Sequence, residues 1–132
     1  MALMTWTAEQ YATKVGFADD EHKEIFSLLN KLYDDAIGGA ERSQIGASLD
    51  ALIAYVVEHF AHEEKEMQAK GYAGYERHKE EHDALVGICA GLQQKFHAGE
   101  ADVTDEVGQM VKGWLDSHIP NFDFAYADAL NS

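Results

Sequence analysis

The sequence is poor in cysteine and proline. Its 132 residues contain one cysteine, Cys89, and one proline, Pro120. A lone cysteine excludes a disulfide within the chain and is typical of a reducing compartment, so we expect a cytoplasmic protein. Because 46% of the residues are hydrophobic, we expect one domain over residues 1–132 with a single core.

Positive charge and long apolar runs are also scarce. The sequence has 10 Lys and Arg residues against 24 Asp and Glu residues, a formal net charge of −14. This charge disfavours nucleic acid and anionic lipid as partners and favours cations. The N-terminal residues lack the basic region and apolar run of a signal peptide, and no apolar stretch is long enough to enter a membrane as a spanning helix.

Apolar residues recur at spacings of three and four, which predicts four helices at about 20–37, 43–69, 73–97 and 103–118. Ile88 and Met110 are among the residues expected on inward faces. Short connections containing glycine predict an all-α, up-down-up-down four-helix bundle over about 19–118. The apolar residues of 1–18 predict an N-terminal arm packed along the bundle, and 119–132 form a short C-terminal segment.

Histidine is the residue type that stands out on the buried faces. Helical spacing places five of the seven histidines on the predicted core stripes, at His22, His59, His78, His82 and His118. Glu63, one turn after His59, lies on the same stripe. A single buried histidine is more often a hydrogen-bonded core residue than a ligand. Five histidines and a carboxylate inside one small bundle need partners, and a metal satisfies them together. His62 and His97 are predicted to lie outside the core.

A second carboxylate follows the fourth helix. Asp123 comes five residues after His118 and would point away from it in an unbroken α-helix. Pro120 lies between them and disturbs the helical hydrogen bonding, which would re-aim Asp123 toward the same centre. The alternative is that Asp123 only caps a helix after the proline.

The number of donors predicts two metal ions. Five imidazoles and two bridging carboxylates offer nine donor atoms. A bridging oxo or hydroxo group adds one donor to each ion, so two octahedral ions would keep one open position. Mixed imidazole and carboxylate ligation suits iron, and also manganese or cobalt, better than a closed structural zinc site.

At these residues the sequence resembles the hemerythrin family, in particular its single-domain bacterial members. The matching features run through nearly the whole chain: Trp6, Thr7, Tyr11, "VGF" at 15–17, "DDEHK" at 19–23, Phe26, Asn30, His59, Phe60, Glu63, Glu64, Met67, His78, His82, "WLDSHI" at 114–119, Asp123 and Tyr126. Glu21 stands where a glutamine is common, and Ala18 where a larger aliphatic residue is common. Neither is a ligand position, so we expect both departures to affect local packing only.

The resemblance implies a non-haem di-iron centre bridged by Glu63, Asp123 and an oxo or hydroxo group. His78, His82 and His118 would bind one iron, and His22 and His59 the iron with the open position. The resemblance also implies an apolar O2 pocket, formed by Ile25, Phe60, Trp114, Leu115 and Ile119. The remaining glutamates of "HFAHEEKEM", residues 59–67, would form a solvated outer face.

The function implied by this resemblance is reversible dioxygen binding for storage, transport or delivery. We expect a monomer that is not an enzyme and that passes O2 to an acceptor protein. Three alternatives stay open. One is a di-iron peroxide or nitric-oxide reductase on the same scaffold. Another is an O2 or redox sensor that acts through a separate partner. The third is an iron buffer.

Overall fold

The computed structural model describes residues 3–131, and all regular secondary structure in this range is helical. The elements are α1 (Ala8–Tyr11), α2 (Gly16–Ile37), α3 (Arg42–Ala69), α4 (Tyr75–His97), α5 (Asp105–His118), a π-helical turn (Ile119–Asp123), a 3-10 turn (Phe124–Tyr126) and α6 (Ala127–Asn131). The predicted all-α class is confirmed. Residues 1–2 of the predicted arm and residue 132 of the predicted C-terminal segment lie outside the described range.

Helices α2 to α5 form a four-helix bundle. Helix α2 packs against α3 and α5, and α3 packs against α4. Each short connection contains a glycine with a positive φ: Gly39 at 79°, Gly71 at 63° and Gly99 at 78°. Glycine adopts this left-handed conformation without a side-chain clash. The helices therefore end where the glycines predicted, and successive helices run in opposite directions.

Helix α2 begins at Gly16, earlier than the predicted residue 20 or so. Its N-cap position is Val15, which has no side-chain cap, and Asp19 lies within the first turn. One oxygen of Asp19 accepts hydrogen bonds from the backbone N–H and the hydroxyl of Thr13, both at 2.8 Å. Asp19 thus holds the chain that enters the helix, and the arm is correspondingly shorter than predicted.

The arm packs against the bundle, as its apolar residues predicted. Met4 is buried, and its backbone exchanges two 2.8 Å hydrogen bonds with the side-chain amide of Asn30 on α2. The Tyr11 ring meets Phe26 edge-on at 4.8 Å, and its hydroxyl donates to Asp116 of α5 at 2.6 Å. These contacts join the arm to both α2 and α5.

Two residues predicted to face inward are exposed. Ile88 is 53% exposed and Met110 is 37% exposed. Helical spacing places both at the edge of their helix's apolar face and not at its centre. Within residues 3–131, every helix is too short or too polar to cross a lipid bilayer.

Candidate metal centre

The seven side chains predicted as ligands are all buried in the middle of the bundle. None of them exposes more than 2% of its surface. Helix α2 supplies His22, α3 supplies His59 and Glu63, α4 supplies His78 and His82, α5 supplies His118, and the π-helical turn supplies Asp123. Every element of the bundle therefore contributes to one point.

These side chains form two overlapping groups. The two-histidine group consists of His22, His59, Glu63 and Asp123. The three-histidine group consists of Glu63, His78, His82, His118 and Asp123. Within each group, candidate ligand atoms lie within 4.8 Å of one another. The two carboxylates belong to both groups, as expected of residues placed between two metal ions.

Glu63 directs one oxygen toward each group. Its Oε2 atom lies 3.3 Å from His59 Nε2 and 3.6 Å from His22 Nε2. Its Oε1 atom lies 3.2 Å from His82 Nε2 and 3.8 Å from His78 Nε2. This division of the two oxygens is the geometry that a bridging carboxylate needs.

Asp123 divides its oxygens in the same way. Oδ2 lies 2.9 Å from His22 Nε2, while Oδ1 lies 2.9 Å from His78 Nε2 and 3.0 Å from His118 Nε2. Helix α5 does not break at Pro120 but continues into the π-helical turn, closed by a hydrogen bond from the Phe124 N–H to the Ile119 carbonyl. A wider turn returns the fifth residue to nearly the same side of the helix. The expected re-aiming of Asp123 therefore occurs without loss of helical backbone.

Several buried polar atoms of the centre have no hydrogen-bond partner among the described residues. They are Nε2 of His78, His82 and His118, Nδ1 of His22, His78 and His118, Oε1 of Glu63 and both carboxylate oxygens of Asp123. Buried polar atoms without partners are rare in proteins and need an explanation. A shared cation explains the Nε2 atoms and the carboxylate oxygens of this set, since imidazole nitrogens and carboxylate oxygens are the donors that iron and similar metals take. The residues present thus fit a metal centre.

The electrostatics of the site favour positive charge. Burial lowers the pKa of His22, but Asp123 and Glu63 outweigh burial and raise this pKa to about 10. Burial likewise lowers the pKa of His59, and Glu63 together with Glu21 raises it to about 9. Burial raises the pKa of the Glu63 carboxyl, and the surrounding imidazoles bring it well below its usual range. The carboxylates are therefore charged, and they attract cations, as protons or as metal ions.

Three side chains outside the predicted ligand set form hydrogen bonds with the ligands. Glu21 accepts hydrogen bonds from Nδ1 of His59 and of His62, both at 2.7 Å. Glu64 accepts one from His82 Nδ1 at 2.9 Å. Tyr126 donates its hydroxyl to Glu63 Oε2. The expectation that Glu64 belongs to a solvated outer face is wrong, because its side chain is only 17% exposed. The expectation that Glu21 affects local packing only is also wrong, because Glu21 forms a hydrogen bond with the predicted ligand His59.

Sequence reasoning missed the contacts of both glutamates because each looked like an ordinary surface residue. The only signal available was their position, since Glu21 directly precedes His22 and Glu64 directly follows Glu63. His62 and His97 lie outside the two groups, as predicted, with side chains 41% and 50% exposed.

Most of the predicted pocket residues are buried, and two of them contact ligand histidines. Ile25, Phe60, Leu115 and Ile119 are buried, and Trp114 is partly buried. The Phe60 ring stacks on His82 at 3.8 Å, and the Trp114 ring stacks on His118 at 4.1 Å. Both rings therefore pack directly against the three-histidine group.

Known proteins resemble this chain in sequence and in fold. A family model described as a hemerythrin HHE cation binding domain matches residues 13–130. The bacteriohemerythrin of Methylococcus capsulatus is 58% identical over 132 residues, 100% of both chains. A bacteriohemerythrin of Pseudomonas aeruginosa is 35% identical over 130 residues, covering 98% of this chain and 83% of the relative. A crystal structure of wild-type hemerythrin aligns with a TM-score of 0.97 and 58% identity, covering 99% of this chain and 100% of that one. By fold, site and sequence, the chain belongs to the hemerythrin family.

Proposed function

We propose that this chain binds dioxygen reversibly at a non-haem di-iron centre and serves in O2 storage, transport or delivery. The supporting observation is the division of the Glu63 and Asp123 oxygens between a two-histidine and a three-histidine group. Relatives named bacteriohemerythrin and a hemerythrin of closely similar structure support the same function.

In this proposal His78, His82 and His118 would hold one iron, and His22 and His59 would hold the other. Glu63 and Asp123 would bridge the two, together with an oxo or hydroxo group. The two-histidine group has one protein donor fewer than the other group, so the open coordination position would lie there. The iron pair supplies the electrons that reversible O2 binding requires.

The role of the surrounding residues is to keep water out. Ile25, Leu115 and Ile119 are at most 4% exposed, and an apolar surrounding disfavours the entry of water and the escape of charged species. Such a pocket supports reversible binding over turnover. In the proposal, O2 is passed on to a separate acceptor protein.

An anaerobic-to-aerobic optical titration tests the proposal. Iron-loaded, reduced protein is exposed to measured additions of O2 and is then degassed. A spectral change that reaches an end point and reverses on degassing is the expected result. Sustained O2, peroxide or nitric oxide consumption with an added electron donor, without a reversible spectrum, would identify the protein as a di-iron reductase instead.

A further inference from the structure

Two carboxylates outside the ligand set hold ligand histidines, and each belongs to a different group. Glu21 accepts from His59 Nδ1, in the two-histidine group, at 2.7 Å. Glu64 accepts from His82 Nδ1, in the three-histidine group, at 2.9 Å. The Nε2 atoms of both histidines face Glu63 at 3.2 to 3.3 Å. Each imidazole thus lies between an outer and an inner carboxylate.

We propose that Glu21 and Glu64 are separate positioning residues for the two metal positions, and that Glu21 controls the one where a small ligand enters. This inference rests on the proposed di-iron function. It assigns to each metal position its own outer carboxylate, and therefore predicts that the two positions respond independently to substitutions at Glu21 and Glu64.

The hydrogen bond determines which ring nitrogen meets the metal. A carboxylate only accepts hydrogen bonds, so its partner Nδ1 must bear the proton, and the Nε2 lone pair then points into the centre. The negative charge also makes the imidazole a stronger donor to the metal. Outer partners of this kind typically contribute about 10- to 100-fold to metal affinity.

Glu21 is held more firmly than a surface carboxylate would be. Its second oxygen accepts a hydrogen bond from His62 Nδ1 at 2.7 Å. The His62 ring in turn stacks on Phe17 at a centroid distance of 4.1 Å. With both oxygens engaged, the Glu21 carboxylate has one orientation, and its charge lies directly behind His59.

The two-histidine group is where an added anion should bind, since it has one protein donor fewer. A negative charge at Glu21 lies one imidazole away from that position and repels such an anion. The two negative charges, on Glu21 and on the anion, would be separated by the His59 imidazole and the metal. At an effective dielectric constant between that of a protein surface and that of water, their repulsion weakens anion binding about 10-fold. Glu64 lies behind the other metal position and should have little effect on anion affinity.

The experiment compares Glu21→Gln and Glu64→Gln with Glu24→Gln as the matched control. Glu24 is an exposed carboxylate about one turn further along α2, so its substitution makes the same change in net charge. Iron content is measured first on the wild type. Two quantities follow for every variant: the rate of iron loss to an excess of chelator, and the affinity of the ferric protein for azide, measured optically.

We expect Glu21→Gln to lose iron faster than the wild type, because a neutral amide oxygen is a weaker acceptor for His59 Nδ1 than a carboxylate, and to bind azide about 10-fold more tightly. Glu64→Gln should also lose iron faster, but its azide affinity should match that of Glu24→Gln. If Glu21→Gln and Glu24→Gln are equal in both measurements, the proposal is wrong. If Glu64→Gln changes azide affinity as much as Glu21→Gln, the assignment to separate metal positions is wrong.

Glu21→Asp separates the charge from the hydrogen bonds. Aspartate keeps the negative charge, but its shorter side chain cannot reach His59 and His62 together. We expect faster iron loss with an azide affinity close to that of the wild type, and wild-type iron retention would contradict the positioning role. A wild type that fails to hold two irons would instead contradict the proposed function, and this result is visible before any variant is compared.

Discussion

Replacing Tyr126 with phenylalanine should weaken the centre while preserving its packing. Tyr126 is fully buried, and its ring lies nearly parallel to that of His78 at a centroid distance of 5.5 Å. Its hydroxyl donates to Glu63 Oε2, the oxygen that faces the two-histidine group. Phenylalanine keeps the ring and its stacking and removes only the hydroxyl, so any effect reports on this single hydrogen bond.

The expected cost follows from the burial of Glu63, which has no exposed surface. A hydrogen bond to a charged group contributes about 1.5–3 kcal/mol, and water has no access to replace the lost donor. For a domain of this size, a loss of about 2 kcal/mol in the free energy of unfolding lowers the Tm by about 5–10 °C. The variant should still fold and should bind iron less tightly.

The assay is thermal unfolding of iron-loaded protein, followed by circular dichroism, with urea unfolding at 25 °C as a second measurement. Tyr11→Phe is the matched control. The Tyr11 hydroxyl donates to Asp116 at 2.6 Å, and Asp116 is not a member of either ligand group. Asp116 is 36% exposed and is also paired with Lys112 at 2.9 Å. Loss of the Tyr11 hydroxyl should lower the free energy of unfolding by less than about 1 kcal/mol, because solvent and Lys112 remain as partners of Asp116.

One outcome would contradict the predicted role of the Tyr126 hydroxyl. If Tyr126→Phe changes the free energy of unfolding by less than about 0.5 kcal/mol, or by no more than Tyr11→Phe, the Tyr126 hydroxyl does not support Glu63. The division of the Glu63 oxygens would then have to be maintained by the imidazoles alone.

Three further predictions concern iron and its surroundings. Metal analysis of protein from iron-replete cells should find roughly two irons per chain, whereas stoichiometric zinc that iron cannot replace would contradict the proposed centre. His62→Ala and His97→Ala should each retain iron, while His59→Ala should lose it; iron loss in His62→Ala as complete as in His59→Ala would contradict the placement of His62 outside the ligand set. Leu115→Ala should keep its iron but lose about 2–5 kcal/mol of stability, and its oxygenated form should autoxidise faster than the wild type in the same buffer. Equal autoxidation rates would assign Leu115 to ordinary core packing.

Helical periodicity correctly predicted burial wherever a residue lies in the middle of an apolar face. His22, His59 and Glu63 were placed inward by counting steps of three and four, and all three are buried. At the edges of an apolar face, periodicity did not predict burial correctly. Ile88 and Met110 fit the same spacing and are exposed, because burial at an edge depends on how far the neighbouring helix extends.

The sequence by itself determined the four helices, the glycines in the connections between them, and the six polar residues on their inward faces: the five histidines and Glu63. It could do so because each of these features depends on spacing within one segment of chain. Only the tertiary structure decided which carboxylate oxygen faces which histidine, and that Glu21 and Glu64 reach His59 and His82. Those contacts cross between helices, so they depend on the rotation and axial offset of one helix against another. Periodicity within a single helix does not encode either quantity.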